Sequence, residues 1–471
     1  MSEHPLSARS SSGNRRAAPA AVLSLLILIV HSYAGPEPAR AALIRVPADH
    51  PTIQRAIDRS QQGDTILVSP GIYEENLNLY GKSIYLSSTE GFDSTFLRAL
   101  LPMVPAITIT SGEDSTTTIR GFTITSEHTL GSCAILCKGV GPAILYNRIV
   151  ANSTADNGPA GVSLEGPNCR PLIRGNIFDQ NGGPAIGGVK VDAALIDSNA
   201  FIRNSCQIGP VMHFRQSANL RINRNLIHGN TTFAQAVLWF EQVQGIAFDH
   251  NTVVQNYSGA AGSLTFRDCD EVSITNSILA FDPGRYGIDW QGDGAPVVSG
   301  NCLFAHDSAS CSGFSADTAN NVFEDPLLCA IKDYDFSLAS NSPCVRAGAD
   351  GWDIGSITGV GCDERAPMPI MPRPNDFVAV EEMPEEIEHT YPEYPEKAVV
   401  AGASGTVWVQ ALVDSKGIVV EARILKSSGT NYGFEESALR AAYKNRYRPA
   451  MREGRPVAVW VSYKVDFMFR H

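Results

Sequence analysis

RDCDE, Arg267 to Glu271, sets three acids, Asp268, Asp270 and Glu271, within five residues. Carboxylates set this close can hold a calcium ion, or divide acid and base roles at a glycosidic bond. If the stretch is a strand, Asp268 and Asp270 share one face, with Glu271 beside them. DHN at Asp249 and FDPGRYGIDW at Phe281 to Trp290 are candidate neighbours on either side. The competing reading is that isolated acids at turns are solvated surface. No DD pair occurs, and His213, His228, His250 and His306 keep no common offset that would build a metal ladder. No cofactor is therefore expected, with calcium at the acid cluster as the one exception.

The chain has 471 residues, enough for two or three domains, with 44% hydrophobic and 18% charged residues. Gly (41) and Pro (28) favour many turns over long helices. A net charge of -12 argues against nucleic acid as a partner, because phosphate binding needs a basic surface. At the N-terminus, Arg9, Arg15 and Arg16 precede an apolar run from Ala17 to Val30. Small-residue cleavage patterns follow, ending at Ala34 or Ala41. Residues 1–41 read as a signal peptide, with a retained anchor as the alternative. The rest of the chain is expected to leave the cytoplasm, touching a membrane only if that apolar segment is kept.

Any acid cluster needs a scaffold, and a repeat supplies one. Motifs of the form NLIHGN recur, with leading asparagines Asn147, Asn176, Asn199, Asn225, Asn251, Asn276 and Asn301, spaced 29, 23, 26, 26, 25 and 25 apart. A period in the twenties indicates a solenoid. Short β-rich runs such as LIR, LRI and SLTF separate the motifs, without helical periodicity. Three short strands and their turns use about 25 residues, one coil of a parallel β-helix. In such a coil the asparagines stack on their own copies, tolerating left-handed backbone and sharing amide hydrogen bonds along the column. Ile53, Ala56 and Ile57 after Thr52 predict a short helix that plugs the first coil.

The segment TIQRAIDRSQQGDTILVSPGIYEENLNL, continued by YGKSIYLSS, resembles the N-terminal coils of right-handed parallel β-helix proteins of the pectin-lyase-like superfamily. That resemblance implies a solenoid over 42–362. It makes a polysaccharide or cell-wall ligand an expectation, and a lyase or hydrolase an alternative. The GHG and RIK motifs of polygalacturonases are missing. All ten cysteines fall between Cys133 and Cys362. Cys133 and Cys137 on one strand would sit about 13 Å apart, too far to bond. The pairing of the others stays open.

Residues 363–393 are rich in proline and glutamate and read as a linker. From Tyr394 the pattern is strand, strand, helix, strand: TVWVQALVD alternates, IVVEARILK follows an SKG turn, Phe434 to Asn445 is helical and VAVWVSYKVDFMF closes. The expected fold class is mainly β, a solenoid followed by a small α+β domain over 394–471.

Tyr394-Pro395, Ala398, Gly402, Val407, Val409, Asp414, Ser427-Ser428-Gly429, Ala438, Tyr447, Pro449-Ala450, Pro456 and Phe467 resemble the C-terminal domain of TonB-family proteins. Gly405, Gly417, Gly429 and Gly454 fit its turns. The family implies docking on an outer-membrane transporter, or another envelope protein, by adding the partner's peptide to a sheet edge. The implied edge carries Val457, Val459, Val461, Tyr463, Val465 and Phe467, approached by Tyr391, Tyr394 and Pro395. From Lys397 onward 12 Lys and Arg face 6 Asp and Glu, so the domain is basic. Tyr391 stands where well-known members carry a glutamine, and His31 lies at the end of the apolar run rather than within a long anchor. An exported docking protein is the primary expectation, and a membrane-anchored energy transducer is the alternative.

Overall fold

In the computed structural model the described residues run from 41 to 469, apart from 127–131, 155–157, 208, 234, 260–261, 283–285, 307–308, 317–319, 358, 366–377 and 453. The expected signal or anchor segment, with Arg9, Arg15, Arg16, His31 and Ala34, lies outside them. Among the described residues no helix is long and apolar enough to cross a membrane.

From Leu43 the chain winds through three long parallel sheets, of eleven, ten and ten strands. Each coil contributes one short strand to each sheet and then pairs with the coil before it. The register keeps like residues in columns. Phe214, Phe240, Phe266 and Trp290 are successive partners in one sheet; the phenylalanine rings stack at 6.4 and 5.2 Å, and Trp290 follows at 6.1 Å, tilted by 40°. In a second sheet Phe178 lies on Phe201 at 4.8 Å. A buried phenylalanine contributes roughly 1.5–3 kcal/mol from burial alone, so each column ties several coils together.

Two asparagine ladders edge one of these sheets. Asn225 shows the unit: its side-chain amide donates to Ile196 O at 2.9 Å and to Asn251 Oδ1 at 3.0 Å. Its own Oδ1 accepts the Asn199 backbone N–H at 3.0 Å. The same pattern links Asn147, Asn176 and Asn199. A second ladder runs through Asn152, Asn181, Asn204, Asn230 and Asn256, the closing asparagines of the motif.

Two expectations need correction. Asn276 is not a ladder member: Ser277 takes that rung, accepting from Asn251 N and donating its own N–H to Asn301 Oδ1. The serine hydroxyl accepts as an amide oxygen would and the backbone N–H carries the ladder onward, while the hydroxyl donates to Thr275 O and Asn276 sits one place earlier. Nor do the ladder asparagines adopt left-handed backbone. The preceding residue does, at Tyr146, Ser198, Arg224, His250 and Asn276. That turn leaves the asparagine side chain free to reach back to the sheet.

Helix Ile53–Arg59 closes the first coil, with Ile53, Ala56 and Ile57 fully buried and Thr52 capping its N-terminus. Glu75 accepts the N–H groups of Ile53 and Gln54, holding the helix to the coil. At the other end, residues 325–362 fold back over the sheet that carries Ile278, Ala280 and Cys302, and Cys329–Cys362 is a disulfide within this closing segment.

The C-terminal domain is an antiparallel sheet in the order Val419–Lys426, Gly405–Val413, Val459–Phe467. Helix Phe434–Ala442 lays Phe434, Ala438 and Ala442 against Val407 and Val409. The domain begins before Tyr394, because Glu385–Glu388 pairs with Arg446–Arg448 and Glu382 with Met451. The segment expected to be linker is shorter by that much: backbone pairing absorbs its end. Val457 is also misplaced by expectation. It belongs to a small hairpin, opposite Ala450, and not to the closing strand.

Candidate functional site

The outer strand Val459–Phe467 pairs with Gly405–Val413 along its whole length and ends the sheet. Its side chains alternate. Val459 and Phe467 are buried, and Val461, Tyr463 and Val465 pack on the core, whereas Ser462, Lys464 and Asp466 are exposed. Lys464 Nζ reaches Asp466 at 2.9 Å, and the Thr406 hydroxyl donates to the same carboxylate at 2.7 Å. Hydrogen bonding from Lys464, then Thr406, lowers the Asp466 carboxyl below its ordinary value.

The opposite edge, Val419–Lys426, is closed by two tyrosines. The Tyr443 hydroxyl accepts the Ala422 N–H at 3.2 Å. The Tyr257 hydroxyl, from the solenoid, donates to Ile424 O at 3.1 Å. A strand residue and its second neighbour direct their backbone groups to the same side, so Ala422 and Ile424 mark one edge. Across the register Ala422, Ala411, Val461, the same alternation turns the backbone of Val461 inward and that of Ser462 and Lys464 outward. One edge is thus capped, and the other presents backbone groups.

The approach residues divide. Tyr391 is 83% exposed and stands edge-on to His389. Tyr394 turns inward: its hydroxyl donates to Ala403 O and its ring packs edge-on against Phe434 and Phe467. Pro395 caps helix Glu396–Ala401. Gly405 has no room for a side chain, since a Cβ would stand 2.6 Å from the Phe434 ring. Gly417 combines φ +78° with the Tyr447 carbonyl 1.7 Å from a Cβ position, so the hairpin turn admits only glycine. Gly429 and Gly454 also occupy positive-φ turns.

On the solenoid, a cleft of about 610 Å³ opens over the sheet formed by strands such as Val162–Glu165, Ile186–Val189 and Met212–Arg215. Its floor follows the register Ser163, Gly187, His213. Pro159 packs directly over Gly187, where a Cβ would stand 2.3 Å from its ring. Lys138, Lys190 and Arg215 supply positive charge, and among the described residues Glu165 is the one carboxylate lining it, 3.9 Å from Lys138. Burial, then Arg215, pushes the His213 imidazole down to about 4, so it is neutral near pH 7. Two carboxylates flanking a bond are needed for the usual glycosidic hydrolysis, and this lining does not offer them.

The acids first singled out lie elsewhere. Asp268 has positive φ and precedes strand Asp270–Thr275, inside which Glu271 also has positive φ, so the shared strand face of Asp268 and Asp270 does not exist. Asp268, Asp270 and Glu271 are exposed, with Arg267 4.0 Å from Asp268. Among the described residues no group of three or more His, Cys, Asp or Glu that could hold a metal ion is assembled. DHN builds a different feature. His250 is buried, with Nδ1 2.9 Å from Asp249 and Nε2 3.4 Å from Asp350 of the closing segment. The Asp249 hydrogen bond raises the imidazole above its ordinary value. Sequence reasoning missed Tyr257, Tyr443 and the cationic cleft, whose members are scattered and share no motif.

Residues 390–469 match the family model described as Gram-negative bacterial TonB protein C-terminal. Residues 106–279 match that of the right handed beta helix region. Among solved structures, pectate lyase Pel9A is similar at 13% identity, with 68% of this chain and 97% of that chain covered and a TM-score of 0.35. The A-module of mannuronan C-5 epimerase AlgE6 from Azotobacter vinelandii is 13% identical, covering 58% of this chain and 93% of that one, with a TM-score of 0.26. The PL6 family alginate lyase AlyGC is 15% identical, covering 60% and 51%, with a TM-score of 0.29. No curated protein matches. The chain is mainly β, a right-handed parallel β-solenoid carrying a TonB-type C-terminal domain.

Proposed function

We propose that the chain is an exported envelope protein whose C-terminal domain takes up an extended peptide of an outer-membrane transporter, or of another envelope protein, along Val459–Phe467. The observation that carries this reading is the asymmetry of the sheet: one edge is capped by Tyr443 and Tyr257, and the other ends in outward backbone groups. Strand addition draws its affinity from those backbone groups and needs no catalytic side chain. The test is Lys464→Pro, which removes an outward N–H while leaving the inward ladder intact. Binding of a transporter-derived peptide should weaken at least about tenfold, the scale of one lost hydrogen bond plus a clash. Unchanged affinity in a folded variant would refute the assignment.

The cleft supports a second role for the solenoid. Lys138, Lys190 and Arg215 beside a neutral His213 suit an anionic oligosaccharide, held rather than cleaved. Incubation with uronic-acid oligosaccharides should show binding without new products. Product above blank would establish a lyase or hydrolase instead.

A further inference from the structure

The closing segment is bound to the solenoid by a run of contacts on one sheet face. Ser356 N donates to Thr252 Oγ1 at 2.9 Å, Gly355 N to Asn276 O at 2.8 Å, and Ala349 N to Asn276 Oδ1 at 2.7 Å. Beneath it, strand Ile278–Ala280 pairs with Cys302–Phe304. Leu279 and Leu303 point into the solenoid core, whereas Ile278, Ala280 and Cys302 face outward into the cluster formed with the closing segment. Cys344 of the closing segment is in that same cluster. Both cysteines are fully buried in that one cluster, where Cys344 neighbours the Cys302 thiol and the thiol also donates to Glu324 O at 3.3 Å.

We propose that Cys302 and Cys344 are a second disulfide site, which covalently staples the closing segment to the last coils of the solenoid. Cys329–Cys362 lies within the closing segment and cannot do this, because both its ends are on the same side of the seam. The Cys302–Cys344 bond would cross it. The step needs a disulfide oxidant, such as a thiol–disulfide oxidase of the exported compartment or oxidised glutathione. One cysteine forms a mixed disulfide with the oxidant. The other, as thiolate, attacks the first cysteine's sulfur and expels the reduced oxidant as a thiol. The two cysteines lose two electrons and two protons in total, and the oxidant accepts the electrons. Burial disfavours the thiolate, so the bond forms before the segment is fully packed.

Oxidative refolding of the full chain in a glutathione redox buffer tests this, with denaturing alkylation and peptide mapping as the readout. The eight cysteines free of the existing bridge should fall to six alkylated thiols, with a Cys302 peptide linked to a Cys344 peptide. The Cys344→Ser variant should leave Cys302 alkylated, while Cys329–Cys362 still forms. Alkylation of both Cys302 and Cys344 in wild-type chains that carry Cys329–Cys362 would overturn the proposal. Its physiological use rests on the envelope reading. Chains that link on refolding yet are fully reduced when taken from cells would confirm the bond chemistry and contradict the export assignment.

Discussion

Tyr257 of the solenoid donates its hydroxyl to the backbone carbonyl of Ile424 in the C-terminal sheet, at 3.1 Å. These residues are 167 positions apart, so a contact between two differently built modules decides which edge of a sheet is open. Phe233, also on the solenoid, packs against the same C-terminal core, and Glu436 accepts from Ser205 and Gln207 at 3.3 and 3.4 Å. The solenoid therefore covers one side of the C-terminal domain.

Tyr443→Phe keeps the ring and removes the hydroxyl that Ala422 N–H uses. It should cost about 1 kcal/mol, the net value of one hydrogen bond, and speed hydrogen exchange at the Ala422 amide. Exchange at Ser462 should not change. Equal acceleration at both edges would mean that the hydroxyl stabilises the whole domain and does not cap one edge.

Asn225→Ala removes a side chain that serves Ile196 O, Asn251 Oδ1 and the Asn199 N–H. With the Asn199 side-chain amide, which also donates to Asn225 Oδ1, four buried groups lose a partner, at roughly 1–3 kcal/mol each before relaxation. The expected loss is about 3 kcal/mol by denaturant unfolding, if the unfolding is cooperative. A loss below about 1 kcal/mol would show that water or neighbours replace the rung. Asn276→Ala should act differently: it frees Ala349 N and Asp249, loosening the closing segment rather than the ladder.

The Asp249–His250–Asp350 group predicts a pH dependence. The folded His250 imidazole lies above its ordinary 6.5, chiefly through Asp249, with Asp350 adding and Arg224 opposing. Its contribution is complete below 6.5 and is lost as pH rises through the folded value. The Asp249 carboxyl is lowered, despite burial, by hydrogen bonds from His250 and Thr275. Its contribution is present above its ordinary 3.8 and is lost as pH falls through the folded value. The stability difference between wild type and His250→Gln should peak between these limits and shrink above pH 7. Half-buried His213 and buried His306, both pushed down to about 4, act oppositely, so the difference between variants is the proper readout.

Arg215→Gln should weaken anionic oligosaccharide binding about fivefold to tenfold, as expected for one charge-assisted contact in a half-open cleft. Because His213 stays neutral, affinity should be flat from pH 6 to 8, by calorimetry. A steep fall over that range would mean that the imidazole carries charge in the complex.

Much of this was legible. The asparagine spacing revealed the coil because each rung must repeat once per turn, and period-two alternation gave the strands Gly405–Val413 and Val459–Phe467. The errors were local. TNSIL offers Asn276 and Ser277 side by side, and only the hydrogen bonds show that serine is the rung. RDCDE looked like a strand because acids alone carry no sign of the positive φ at Asp268 and Glu271. Tyr257 and Tyr443 gave no signal, since their role depends on how distant segments pack.

The most direct test is amide hydrogen exchange of the full chain with and without a saturating extended peptide from a transporter N-terminus. The account predicts slowed exchange at Ser462 and Lys464 and no change at Ala422. Binding that protects Ala422, or that leaves Ser462 and Lys464 as fast as in the free chain, would contradict it.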